Sequence, residues 1–299
     1  MRAIRVREFG PPEVLRLEED EKPTPGEGEV LVSVELASVI YGDVIVRSGG
    51  HPFELPYIPG NEVAGTDHNG RIVVGTTAGN SGGYAEFARC TDVYEVPSGV
   101  SLAQALAVFE GGYLANAMLE EMGPADTVLI TAAAGRIGSL LVQLAKARGA
   151  TVIAAASGEK LDTAAKFGAD VLVDYRDPDW AGKVKTATGG GADVTLEAIG
   201  GRLGAQALEA TRGRFGVYGF ASGSWTDPGD RELVSPLRTI FARPQEQHRR
   251  GVEEILRRAA QLIPLPTTTF PLEDAGEAHA ALESRRTVGA VSLSLAATR

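Results

Sequence analysis

Apolar runs and amphipathic stretches alternate along the middle of the chain. Val128-Leu129-Ile130 is an apolar run typical of a buried strand, and residues 137–145 repeat apolar side chains at helical spacing. Four further apolar runs, separated by helical patterns, lie at 151–156, 171–175, 193–198 and 214–219. Strands that alternate with helices in this way predict a parallel, doubly wound sheet.

Residues 1–100 show a different pattern, in which glycine and proline separate short strands. These predicted strands lie at 3–6, 30–37, 71–75, 84–89 and 93–96. Several short strands with frequent turns favour a domain of the β-barrel type. Ser101 stands where the N-cap of a helix running to about Leu119 is expected. In the C-terminal part, the pattern predicts helices over 252–262 and 272–282 and a last strand over 290–295.

Length, charge and cysteine content narrow the class of protein. The 299 residues suggest two domains, and the net charge of −10 argues against a nucleic-acid partner. Cys90 is the single cysteine, which excludes a disulfide framework and a structural zinc site built from cysteines. Because the sequence shows neither an apolar signal core nor an apolar run long enough to span a membrane, we expect a cytoplasmic protein with no membrane partner.

A strand, a tight glycine turn and a helix start meet between residues 128 and 149. The turn reads Ala133-Ala134-Gly135-Arg136-Ile137-Gly138, with alanine in place of the first glycine of G-x-G-x-x-G. The free N–H groups and positive dipole end of such a helix bind a dinucleotide pyrophosphate. Gly135 would let the backbone approach the phosphates, and Gly138 would let helix and strand pack closely. This pattern alone is weak evidence for a dinucleotide site, so an ordinary strand–helix turn is the alternative interpretation.

The end of the second strand of this region bears on the choice of cofactor. Enzymes that prefer NAD usually place Asp or Glu there, to bond the ribose 2′-hydroxyl. Ala155, Ala156 and Ser157 occupy these positions, and Lys160 follows. A small polar residue with a cation favours the 2′-phosphate of NADPH, unless Lys160 is simply a solvated lysine.

Short motifs occur in a fixed order along nearly the whole chain. Besides the glycine turn, they are Gly42-Asp43, Pro59-Gly60-Asn61-Glu62, Gly83-Tyr84-Ala85-Glu86-Phe87, Lys166-Phe167-Gly168-Ala169-Asp170, Gly191-Ala192-Asp193-Val194, Gly216-Val217-Tyr218-Gly219 and Ala278-His279-Ala280-Ala281-Leu282. Together they resemble the zinc-independent, quinone oxidoreductase branch of the medium-chain dehydrogenase/reductase superfamily. The resemblance implies an α/β fold with a GroES-like β-barrel catalytic domain at 1–112, completed by 264–299. It implies a Rossmann NADPH-binding domain at 113–263.

The resemblance also implies roles for particular residues and a homodimer. The pyrophosphate loop would include Ala134, Gly135, Arg136, Ile137 and Gly138, and the loop beside the nicotinamide would be Phe220, Ala221 and Ser222. The 2′-phosphate would be held by Ser157, Lys160 and Tyr175, with Arg285 reaching in from the C-terminal segment. Tyr175 could instead be a strand-end tyrosine packed on the sheet, and Arg285 an ordinary cation at a helix end.

Several positions depart from the family pattern. The zinc branch has Gly-His-Glu where this chain has Gly60-Asn61-Glu62, so we expect chemistry without a metal. Ile40 replaces a usual asparagine, Leu114 a usual threonine and Arg136 a usual glycine. Tyr41 is then the best remaining proton donor, unless it is a core tyrosine of the barrel.

The sequence leads to one main expectation and two alternatives. We expect an NADPH-dependent reductase that transfers hydride to a quinone or an α,β-unsaturated carbonyl. Ile40 and Leu114 motivate an NADPH-binding redox sensor or scaffold without turnover. An enoyl reductase that tailors a natural-product intermediate would use the same chemistry on a larger substrate. No role is evident for Glu110, and His248 and His279 are expected at the surface.

Overall fold

The computed structural model describes residues 1–123, 125–234 and 237–295. Its strands, in chain order, are β1 (Arg2–Arg5), β2 (Arg16–Glu19), β3 (Val30–Ser38), β4 (Glu62–Asp67), β5 (Ile72–Thr77), β6 (Phe87–Glu95), β7 (Thr127–Thr131), β8 (Thr151–Ala156), β9 (Val171–Asp174), β10 (Ala192–Glu197), β11 (Thr211–Val217), β12 (Thr267–Pro271) and β13 (Ala290–Ser294). Its helices are α1 (Tyr41–Arg47), α2 (Leu102–Met118), α3 (Arg136–Ala147), α4 (Leu161–Lys166), α5 (Trp180–Thr188), α6 (Gly201–Glu209), α7 (Leu237–Phe241), α8 (Gln245–Arg258) and α9 (Ala275–Glu283).

The chain divides into two compact units. The first, called the barrel unit below, consists of Met1–Phe109, Leu256–Ala260 and the chain from Pro264 onward. The second, called the nucleotide unit, consists of Glu110–Ile255 and Gln261–Ile263.

The barrel unit is built on a six-stranded sheet. Its strand order is β12-β13-β3-β4-β5-β6, and β6 also pairs with β3, which closes β3 to β6 into a small barrel. Side chains alternate along β3, so that one face of the strand packs on the core. Val32 and Val34 are buried on this face, whereas Ser33 and Glu35 are exposed on the other. The predicted barrel is confirmed, and the two strands predicted at 84–89 and 93–96 are replaced by the single β6.

The nucleotide unit contains a five-stranded sheet with parallel pairing throughout. Its strand order is β11-β10-β7-β8-β9. From β7 the chain adds β8 and β9 on one side of the sheet and then crosses over to add β10 and β11 on the other, so the direction of strand addition reverses between β7 and β10. The buried side chains of Leu129, Ile153, Trp180 and Phe215 belong to one apolar core beside this sheet. The predicted doubly wound sheet is therefore confirmed, and its switch point lies at the carboxyl ends of β7 and β10, where ligands bind in such folds.

Two details of the fold bear on the predictions from sequence. Ser101 caps α2, since its Oγ accepts the Gln104 N–H at 3.2 Å, and α2 bends at Phe109. His279 is expected at the surface but is fully buried on α9, because the face of that helix that carries it packs on the barrel core together with Ala275 and Ala278. Within the part of the chain that the structure describes, no helix has the length and apolar character that a membrane crossing requires.

Candidate dinucleotide-binding site

The glycine turn joins the carboxyl end of β7 to the start of α3. Gly135 is the N-cap of α3, with extended backbone, and as a glycine it supplies no side-chain cap. The cap residue therefore leaves the N–H groups at the start of α3, including those of Ile137 and Gly138, to other acceptors, which is the arrangement that favours an anion at a helix start. Ala132 precedes them with a φ of 48°.

The two glycines of this turn have different surroundings. A Cβ at Gly138 would overlap the carbonyl oxygen of Ala132 and come within 3.0 Å of the Cα of Ala133. Gly138 is thus required by the close packing of α3 on the turn. A Cβ at Gly135 would meet only the Ala132 oxygen, at 3.2 Å. Since packing hardly constrains Gly135, the space beside it is open to a ligand.

Arg136 lies against α2. A Cβ at Gly111 would lie 3.1 Å from Nε and 3.4 Å from Cζ of Arg136. Gly111 therefore makes room for the long side chain that replaces the usual glycine of this turn.

Ser157, Lys160 and Tyr175 lie close together at the carboxyl edge of the sheet. Ala156 pairs with Asp174 at the ends of β8 and β9, and the Tyr175 N–H donates to the Ala156 carbonyl at 3.2 Å. A short 3-10 turn after Ser157 ends at Lys160, whose N–H donates to the Ser157 carbonyl at 3.0 Å. The predicted 2′-phosphate residues of the nucleotide unit thus occupy one patch, while Arg285 lies in the barrel unit.

An ion pair borders this patch. Arg176 donates to both oxygens of Asp174 through Nε and to Oδ2 through Nη2 at 2.6 Å, and the Gly158 N–H also donates to Oδ2. The Arg176 hydrogen bonds lower the pKa of Asp174 to about 2, so this carboxylate is ionised at neutral pH and its charge is compensated.

The loop after β11 is attached to the end of β10. The Ala221 N–H donates to the Ala198 carbonyl at 3.0 Å, and the Ser222 N–H to the Ile199 carbonyl at 2.7 Å. This holds the segment Phe220 to Ser222, predicted to lie beside the nicotinamide, at the switch point of the sheet.

Glu197 is a buried carboxylate at this edge that the sequence reasoning missed. Its side chain accepts the N–H groups of Ile199 at 2.6 Å and Gly200 at 3.0 Å. It also accepts the hydroxyls of Thr226 at 2.7 Å and Thr131 at 3.3 Å, and it is fully buried. An acidic residue that ends an apolar strand was the available signal. Hydrogen bonds from these four donors to one carboxylate fix the loops that follow β10.

The barrel unit holds Tyr41 at the first position of α1, where it is half-buried. Asp43 fixes this start, since its Oδ2 accepts the Ile40 N–H at 3.0 Å. Tyr84 Oη donates to the same oxygen and lies 3.1 Å from Nε2 of His279. Burial raises the pKa of Asp43 to about 7 and lowers the pKa of His279 to about 3.

The first helix is also tied to α9 by an ion pair. Arg47, 1% exposed, donates from Nη2 to Glu283 at 2.6 Å. Glu283 ends α9, and Arg285 follows with a left-handed φ of 55°. The predicted phosphate ligand Arg285 is thus placed by the end of a helix that is anchored to the barrel.

Metal ligands do not converge in the part of the chain that the structure describes. Among those residues, no group of three or more His, Cys, Asp or Glu side chains is arranged to hold a metal ion. Cys90 is buried in β6, and burial raises the pKa of its thiol to about 12.

The closed barrel, the parallel sheet and its glycine turn together define the two-domain architecture of medium-chain dehydrogenases/reductases. Residues 137–244 match the family described as zinc-binding dehydrogenase. The quinone oxidoreductase of Rattus norvegicus is 30% identical over 307 residues, covering 93% of each chain. A probable quinone oxidoreductase of Schizosaccharomyces pombe is 31% identical and covers 97% of this chain and 96% of its own.

Solved structures agree with these sequence matches. A mycobacterial protein complexed with NADPH superposes with a TM-score of 0.90 at 32% identity, covering 98% of this chain and 99% of its own. The Escherichia coli quinone oxidoreductase complexed with NADPH also has a TM-score of 0.90, at 28% identity and 98% and 100% coverage. The chain belongs to the quinone oxidoreductase-like family of medium-chain dehydrogenases/reductases.

Proposed function

We propose that this protein is an NADPH-dependent oxidoreductase that reduces a quinone or an α,β-unsaturated carbonyl without a metal. The observation that carries the proposal is the glycine turn at the start of α3, where the cap residue Gly135 has no side chain and leaves open space beside the helix end. Two related proteins of the same fold are complexed with NADPH, which supports the same cofactor here.

The residues of the nucleotide unit suit the phosphates of this cofactor. N–H groups at the start of α3 would hold the pyrophosphate, with Ala134 to Gly138 forming the loop around it. Ser157, Lys160 and Tyr175 would hold the 2′-phosphate, with Arg285 as a further cation. The ionised Asp174 is compensated by Arg176, so its charge does not oppose a phosphate at this patch.

NADPH, when bound, supplies a hydride for the electrophilic carbon of the acceptor. The chain would hold the nicotinamide with the loop from Phe220 to Ser222, including Ala221, and it would exclude water around the acceptor. Tyr41 Oη, or solvent, would donate the proton that the acceptor oxygen takes up.

The donor set favours chemistry without zinc. A catalytic zinc site needs three protein ligands, most often His, Cys and carboxylates. Asn61 stands where the zinc branch has a histidine, and the single thiol of Cys90 is buried and protonated. Zinc addition after chelation should therefore leave the turnover rate unchanged.

The test compares NADPH and NADH oxidation against quinones, simple enones and larger enoyl substrates. We expect turnover with NADPH to be faster, and Lys160→Gln to raise the KM for NADPH by about tenfold while the KM for NADH stays unchanged. Lys166→Gln, at an exposed position of α4, is the matched control for loss of one charge. A preference for NADH would contradict the cofactor assignment.

A second candidate is an NADPH-binding sensor or scaffold without turnover. It is favoured by Ile40 and Leu114, which replace polar residues of the family pattern. If NADPH binds but no acceptor is reduced, and Ile40→Asn then creates turnover, the second candidate is the better description.

Two further proposals concern assembly and location. We propose a homodimer, because the family resemblance implies one, and sedimentation velocity should give twice the mass of a single chain. The cytoplasmic location stays a prediction from the composition of the sequence.

A further inference from the structure

The nucleotide unit displays an unusually exposed tryptophan. The sequence has two tryptophans, and Trp180 is fully buried in the sheet core whereas Trp225 is 54% exposed. The ring of Trp225 lies on that of Phe220, with centroids 4.3 Å apart and an interplanar angle of 30°. An exposed indole that is backed by a second ring offers a flat apolar surface on which another planar ring can stack.

This aromatic pair lies at the edge of the sheet where ligands bind. Phe220 directly precedes Ala221 and Ser222, whose N–H groups donate to the carbonyls of Ala198 and Ile199 at the end of β10. The pair is therefore mounted at the carboxyl end of β10, next to the switch point between β7 and β10.

Hydrogen bonds and close backbone contacts hold the segment that carries Trp225. Thr226, the neighbour of Trp225, donates to the buried carboxylate of Glu197 at 2.7 Å. A Cβ at Gly200 would overlap the carbonyl oxygen of Ser224, and one at Gly204 would overlap the Thr226 hydroxyl. The segment 222–226 thus lies directly on the backbone around the start of α6, and this contact fixes the chain on either side of Trp225.

We propose that Phe220 and Trp225 form an aromatic platform that binds the planar ring of an aromatic acceptor, with Glu197 and Thr226 as positioning residues. The proposal rests on the proposed function and narrows its substrate class to acceptors with a fused aromatic ring. A flat conjugated ring gains stacking on the exposed indole that a short aliphatic enone cannot gain.

The first test uses steady-state kinetics with 1,4-naphthoquinone and 2-cyclohexen-1-one as paired acceptors. Trp225→Ala should raise the KM for naphthoquinone by roughly 5–20-fold and leave the KM for cyclohexenone within about twofold. Trp225→Phe, which keeps a ring, should restore most of the loss. Phe241→Ala removes another exposed aromatic side chain of the same unit, 72% exposed, and serves as the matched control.

The positioning role has its own readout. Thr226→Val keeps the shape of the side chain but removes the hydrogen bond to Glu197. It should raise the KM for naphthoquinone, leave the KM for NADPH unchanged and increase the acrylamide quenching of Trp225 fluorescence. Thr226→Ser, which keeps the hydroxyl, should behave as the wild type.

Binding without turnover separates failure of this proposal from failure of the proposed function. Calorimetric titration of 1,4-naphthoquinone in the absence of NADPH should give a dissociation constant that Trp225→Ala weakens by a similar factor. If the enzyme reduces both acceptors but Trp225→Ala changes both KM values equally, or neither, the platform is refuted and the proposed function stands. If no acceptor is reduced while naphthoquinone binding depends on Trp225, the proposed function fails and the platform stands.

Discussion

Replacing Arg285 with glycine should stabilise the barrel unit and weaken the binding of NADPH. Arg285 follows the end of α9 with a left-handed φ of 55°. Its N–H donates to the Leu282 carbonyl at 3.0 Å, and the Arg286 N–H donates to the Ala281 carbonyl at 3.1 Å. Helix ends with this hydrogen-bond pattern usually have glycine at the left-handed position. An arginine held there at a cost in free energy points to a functional reason.

The expected magnitudes follow from the backbone and the charge. A left-handed conformation costs an L-residue about 1–2 kcal/mol. Glycine loses about 0.5–1 kcal/mol more conformational freedom on folding, so the net gain in unfolding free energy is about 0.5–1 kcal/mol. Hydrogen bonds from a guanidinium to a phosphate contribute about 1.5–3 kcal/mol, so the dissociation constant for NADPH should rise about 10–100-fold.

The assay needs Arg285→Gly and Arg285→Ala side by side. Alanine removes the guanidinium but keeps the left-handed strain. Only the glycine variant should therefore show a higher unfolding free energy in calorimetry. In the same variant the Arg286 amide should exchange its hydrogen more slowly. Both variants should lose affinity for NADPH equally and keep their affinity for NADH. Arg286→Ala should keep its affinity for both cofactors. Equal stability of the two variants would refute the strain argument, and unchanged NADPH binding would refute the phosphate contact.

Three further predictions follow from the glycine turn and the buried barrel network. Gly135→Ala should change the unfolding free energy by less than about 1 kcal/mol but weaken NADPH binding at least tenfold in a fluorescence titration; unchanged affinity would contradict the pyrophosphate assignment. Gly138→Ala should destabilise the fold by about 1–3 kcal/mol in urea denaturation, because its Cβ would overlap the Ala132 oxygen, and a neutral result would contradict the packing argument. The raised pKa of Asp43, about 7, contributes stability that is lost as pH rises from about 4 through 7, and the lowered pKa of His279, about 3, contributes stability that is lost as pH falls from about 6.5 toward 3. Asp43→Asn leaves only the second effect, so between pH 6.5 and 4.5 its unfolding free energy should fall more steeply on acidification than that of the wild type, by up to about 1.4 kcal/mol per pH unit; parallel curves would contradict the assignment.

The parallel sheet was predictable from sequence because its strands are buried on both faces. Such strands appear as continuous apolar runs, and the run at 128–130 lies within β7. β4 was not predicted, because Gly65 interrupts its pattern. A Cβ there would overlap the Ser33 carbonyl oxygen, so the glycine reflects a close approach of β3 that only the folded barrel reveals.

The candidate site was predictable where it depends on strand order alone. Ser157 and Tyr175 follow two neighbouring parallel strands, so their proximity follows from the topology. The burial of His279 was not predictable, because its partner Tyr84 lies 195 residues away in the sequence. The role of Glu197 depends likewise on Thr226, which comes from a loop beyond the next strand.

The burial of Cys90 affects how long the protein keeps its activity in the presence of its acceptors. Quinones and α,β-unsaturated carbonyls are electrophiles that alkylate thiolates. The one cysteine of the sequence is fully buried in β6, and its thiol, with a pKa raised to about 12, stays protonated at neutral pH. An enzyme of the proposed function would therefore be protected from inactivation by its acceptors at cysteine, and it should keep its activity through repeated exposure to them without a reducing agent in the buffer.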